Sequence, residues 1–179
     1  MYDKTIEING NLSNPISGLK NYDLFQAAII KVLQVFQKTF GNEIMCKLPL
    51  LIDNGTSNTG HTPIITPVLN KYLIIKLCVK PSTVESTIIY QFSHELAHFI
   101  FYAYHGIDKV FATQEEESFC SAISLILIKE LCPNDLIGYI AYVRSLSDEG
   151  YRLGIDVAER YNYDLNAIKT LIPTIQYVK

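Results

Sequence analysis

Apolar side chains recur along residues 21–40, NYDLFQAAIIKVLQVFQKTF, at positions 24, 25, 28, 29, 32, 33, 36 and 40. Positions three and four apart share one helix face, so this segment is predicted as an amphipathic helix with Gly41 as its stop. The pattern then shortens. Residues 44–53, IMCKLPLLID, and 71–79, KYLIIKLCV, are brief apolar runs that read as strands. Pro49 cannot donate to a sheet ladder, which points the first run to a sheet edge or a bulge. Between them DNGTSNTGHTP is rich in Asn, Gly, Ser and Thr and reads as a loop. A plain connection is the simpler expectation for it, and a lid the functional one.

Helical spacing returns after Pro81. Ser82 is a natural N-cap, with Glu85 three residues on completing a capping box, for a helix that should run to about Tyr104 and stop at Gly106. Thr113 and Glu116 form a second such box, opening a helix that ends at Pro133. Residues 134–147, 148–160 and 164–172 read as three more helices. The prediction is a single α+β domain over residues 1–179. It has a small, mostly antiparallel sheet, a core at about 71–131 and a helical C-terminal part at 133–179.

Composition narrows the class. The chain is 49% hydrophobic and 18% charged, enough apolar material for a real core. Net charge is −3 and no basic block stands out, so no nucleic-acid partner is expected. Apolar runs are too interrupted for a membrane span, and the start carries no apolar signal core, so a soluble, cytoplasmic protein is expected. Cys46, Cys78, Cys120 and Cys132 form no C-x-x-C pair and read as buried thiols of a reducing compartment.

One motif stands out against this background. His94-Glu95-Leu96-Ala97-His98 lies inside TVESTIIYQFSHELAHFIFYAYHG, which is otherwise largely apolar. On a helix, Thr87, Gln91, His94, His98 and Tyr102 share one face. A helix that is apolar nearly all round is buried, and a polar stripe on it must line a cleft or bind something, because unpaired buried polar groups are costly. His94 and His98 stand one turn, about 6 Å, apart along the axis, so their rings can converge on one ion. This is the H-E-x-x-H arrangement for Zn2+. Glu95 sits beside that face, within reach of a water on the ion but not a ligand to it. The plain alternative is a pair of satisfied core histidines, and a third ligand would separate the two. His105 lies about 16 Å along the helix from His94, too far to share an ion. Phe101 and Tyr104 occupy the places where the metzincin motif needs Gly and His. His61 stays open.

Eighteen residues follow His98 before Glu117-Ser-Phe-Cys. This resembles the gluzincin pattern, in which a second helix supplies a glutamate ligand at a similar distance. Three acids compete there. Glu116 is claimed by the capping box, Glu115 points outward, and Glu117 aligns with Ser121 and Ser124, small residues that would let the two helices approach closely. Glu117 is therefore preferred as third ligand, with Glu116 next.

The resemblance covers about residues 71–131 and implies a minimal, zincin-like gluzincin. Its edge strand, here 71–79, would lie over the active-site helix and pair with a peptide by β-augmentation. It implies a zinc-dependent peptidase, with His94, His98 and Glu117 as metal ligands and Glu95 as general base on a peptide or protein substrate. A gluzincin also needs an oxyanion donor, for which Tyr139, Tyr142 and Tyr151 are all open. It needs an acid behind a ligand histidine too, for which Asp108 and Asp156 are guesses. The rivals are a zinc hydrolase of non-peptide amides and a non-catalytic zinc-binding module of the same descent.

Overall fold

The computed structural model describes residues 6–9, 19–54, 62–80, 82–109 and 111–175. His61 and most of the Gly/Asn loop lie outside the described residues. The described chain is α+β and mostly helical. It runs β1 (Ile6–Asn9), α1 (Leu19–Phe40), α2 (Asn42–Met45), β2 (Leu50–Asn54), β3 (Ile64–Val68), β4 (Tyr72–Leu77), α3 (Glu85–His105), α4 (Gln114–Leu131), α5 (Leu136–Ser145), α6 (Glu149–Arg160) and α7 (Leu165–Ile168). No described helix is long and apolar enough to cross a membrane.

The sheet order is β1-β2-β4-β3, and the sheet is mixed, not mostly antiparallel. β1 pairs parallel with β2, and β2 parallel with β4; only β3 and β4 are antiparallel. Connection length explains this: a helix between β1 and β2 makes a crossover, which returns the chain in the same direction.

The strand prediction for 71–79 holds as β4, but its edge placement does not. β4 lies between β2 and β3, and Leu73, Ile75 and Leu77 are buried along one face. The edge strands are β1 and β3, and β3, beside β4, is the one the sequence pattern hid. Its turn to β4 puts Leu69 and Asn70 at φ 53° and 52°, with the Lys71 N–H bonded to the Val68 carbonyl at 3.0 Å. Two positive φ values mark a type I′ turn, and Leu-Asn lacks the glycine that usually advertises one. Pro67 inside β3 fits an edge, where an absent N–H costs no ladder bond.

The first strand prediction also shifts. Residues 42–45 are helical, and β2 begins only after Pro49, as an interior strand. Pro49 still contributes, since its carbonyl accepts from Leu73 N at 2.9 Å.

Helices α1 and α4 flank α3, which also packs against β4. Phe25 and Phe36 of α1, Phe92, Phe99 and Phe101 of α3, and Phe119 of α4 are all fully buried. The predicted helix boundaries hold closely, with Gly41 and Gly106 as stops at φ 82° and 111°. The first capping box does not form. Val84 is the N-cap of α3 without a side-chain bond, and Glu85 pairs with Lys31 instead. None of the four cysteines forms a disulfide, and only Cys120 is buried.

Candidate metal centre

α3 is held over the sheet by Gln91, whose Oε1 accepts from the backbone N–H of Cys78 at 3.0 Å. This bond lies at the end of β4 and one turn before the H-E-L-A-H segment. It fixes which way the polar stripe of α3 faces. The stripe turns toward the start of α4, where Thr113 is the N-cap and its Oγ1 accepts from Glu116 N at 3.2 Å. That half of the second capping box is as predicted.

His94, His98 and Glu117 come together here. His94 Nε2 lies 3.3 Å from His98 Nε2 and 3.2 Å from Glu117 Oε2, and His98 Nε2 lies 3.5 Å from Glu117 Oε1. Donors about 2.0 Å from a tetrahedral zinc stand about 3.3 Å from one another, so the three spacings fit one ion. Donor chemistry agrees. His98 Nδ1 bonds Glu116 Oε1 at 2.6 Å. An ionised carboxylate only accepts, so Nδ1 carries a proton, and any proton on Nε2 is the one that an ion at the cluster would displace. His94 Nδ1 is buried with no hydrogen-bond partner among the described residues.

His98, Glu116 and Cys120 form a second group of metal-binding residue types. It fits an ion poorly. His98 Nδ1 and Glu116 Oε1 are already at hydrogen-bond distance, closer than two ligands of one tetrahedral ion stand. The same Glu116 oxygen also accepts from Lys109 Nζ, so a cation already occupies that side. The Glu116 carboxylate does more than the capping expected of it: its Oε1 faces inward, bonded to His98 and Lys109. It is also the acid behind His98. Asp108 and Asp156 are both exposed.

Electrostatics follow the geometry. Burial would raise the pKa of Glu117, but hydrogen bonds to His94 and His98 outweigh it and hold the carboxyl well below its ordinary range. Burial would lower the pKa of His98, yet Cys120, Glu116 and Glu117 together hold it well above the ordinary value. Glu95 is raised, first by burial and also by the Glu117 charge, although His94, His98 and the Ile65 N–H pull the other way. That last contact ties Glu95 to β3. Burial pushes the Cys120 thiol up to about 12, so it is not a thiolate at neutral pH.

A cavity of about 570 Å³ opens beside the cluster. His94, Glu95, Thr62 and Pro63 line one side, and Tyr90, Tyr139, Tyr142 and Tyr151 much of the rest. Tyr151 stacks on His94 with ring centroids 4.8 Å apart and planes 9° from parallel. Burial, then the Glu117 and Glu95 charges, raise its phenol pKa, so it stays a hydrogen-bond donor.

Tyr151 comes from α6, which approaches α4 closely. A Cβ at Gly154 would stand 2.5 Å from Ser121 Cβ, so only glycine fits. Ser121, aligned with Glu117, is the small residue that admits α6. Sequence reasoning missed Lys109, since one lysine in a connector reads as a surface residue. It left Tyr151 among three equal tyrosines, because stacking on His94 depends on a helix distant in the chain.

No protein-family model, curated protein or solved structure matches this chain.

Proposed function

We propose that the protein is a zinc-dependent peptidase of zincin-like, minimal gluzincin type. The observation carrying this reading is the convergence of His94, His98 and Glu117 at tetrahedral spacing, with Glu95 next to them on the wall of an open cavity. A satisfied core histidine pair needs neither the third donor nor the cavity.

His94, His98 and Glu117 would hold the metal and leave one position open toward the cavity. When bound, zinc supplies Lewis acidity, which lets water lose a proton near neutral pH. Glu95 takes that proton, and its raised pKa suits a base that must later return it to the leaving amine. Tyr151 is the favoured donor to the carbonyl oxygen as negative charge develops there. β3, not the 71–79 strand, is the edge strand of the described sheet on the cavity side, and an extended peptide would pair with it.

The test is Glu95→Gln beside wild type, each assayed for bound zinc and for cleavage of a peptide library. The expected result is one zinc in both and cleavage by wild type alone, with a loss of at least about 100-fold in the variant. Wild type that holds zinc and cleaves nothing would overturn the peptidase reading and leave a zinc-binding module.

A further inference from the structure

Lys109 and Glu116 are charged groups that the proposed chemistry does not use. Side-chain exposure is 3% for Lys109 and 1% for Glu116. Removing two charges from water is costly, and a well-packed apolar pair of similar volume is commonly as stable or more so. Stability alone therefore does not account for this pair.

Its contacts suggest what does. Lys109 lies in the connector between α3 and α4, the two helices that bring the three donors together. Its ammonium sits 4.5 Å from the centre of the Tyr102 ring, one turn beyond His98 on α3. It also donates to Glu116 Oε1 on α4, the oxygen that accepts from His98 Nδ1. One cation thus touches both helices and anchors the carboxylate that aims a histidine.

We infer that Lys109 is a positioning residue for metal binding, acting through Glu116 on His98. This rests on the zinc site proposed above. Lys109 balances the Glu116 charge and fixes the oxygen that His98 Nδ1 donates to. The bond keeps the His98 proton on Nδ1 and turns Nε2 toward His94 and Glu117. Loss of a partner behind a metal-bound histidine typically weakens metal binding by about 10- to 100-fold.

The experiment uses the full chain and zinc itself. Wild type, Lys109→Arg, and the double variant Lys109→Met with Glu116→Leu are compared by chelator competition for zinc affinity and by thermal unfolding of the metal-free forms. The double variant replaces the ion pair with apolar side chains of similar size, so no buried charge is left alone. Expected is a metal-free midpoint at or above wild type, with zinc affinity weaker by about 10- to 100-fold. Lys109→Arg should keep affinity near wild type. A shift of the His98 ring-nitrogen NMR signals to the other tautomer in the double variant would supply a readout that packing alone would not move.

Wild-type zinc affinity in the folded double variant overturns the assignment and leaves the zinc site standing. A double variant that cannot fold also overturns it, because the pair would then serve the fold itself. A wild type that takes up no zinc overturns both readings together.

Discussion

The two nitrogens of His98 face opposite surroundings. On the Nδ1 side lie Glu116, Lys109 and Cys120, all buried, and a lysine of the chain itself supplies the cation. On the Nε2 side lie His94 and Glu117, next to an open cavity, and among the described residues no lysine or arginine is in hydrogen-bond contact with them. Adjacent carboxylates, Glu116 and Glu117, thus have different neighbours. The contrast lies in what balances the carboxylate on each side. A group of acceptors brought within hydrogen-bond distance of one another is costly unless positive charge joins them. On the closed side a lysine meets that requirement, and on the open side only histidine protons do.

The sharpest way to break the comparison is to remove each carboxylate in turn. Glu117→Ala should abolish zinc retention, measured as metal per chain by mass spectrometry, while the metal-free fold persists. Glu116→Ala should cost about 3–5 kcal/mol in urea unfolding, because Lys109 is left as a buried charge without its partner. If both variants lost zinc equally and neither lost stability, the two sides would not differ as described.

A smaller effect is expected where α6 meets α4. Gly154→Ala should destabilise by about 1–3 kcal/mol in the same assay, since its Cβ would meet Ser121 on α4. The change presses on the wall that carries Tyr151, so it tests whether the open side depends on that close approach. Smallest is Thr113→Ala, which removes the cap of α4 for about 1 kcal/mol. It should lower the thermal midpoint without favouring either side of His98, because both carboxylates ride on the same first turn.

Much of this molecule was legible in one dimension. Helical periodicity gave α1, α3 and α4 nearly to their ends, because burial against a core repeats every three to four residues and leaves its mark in the sequence. The spacing of His94, Glu95 and His98 was readable for the same reason, as a helix fixes neighbours one turn apart without help from the rest of the fold. Glu117 was reachable through the family pattern and the Thr113 cap, one half of which forms.

Tertiary structure decided what local rules cannot reach. The edge passed from 71–79 to β3, because edge position depends on which strands pair and a short strand with a Leu-Asn turn carries little signal. Glu116 gained a histidine partner beyond the capping expected of it, because a carboxylate at a helix start serves whichever donor the fold brings nearest. Lys109 and Tyr151 acquired their places through contacts spanning the connector and a distant helix. The sequence by itself determined the helices and the donor types on them. Only three-dimensional packing decided which donors share a space, because desolvation and charge act on distances across the fold, while periodicity acts along the chain.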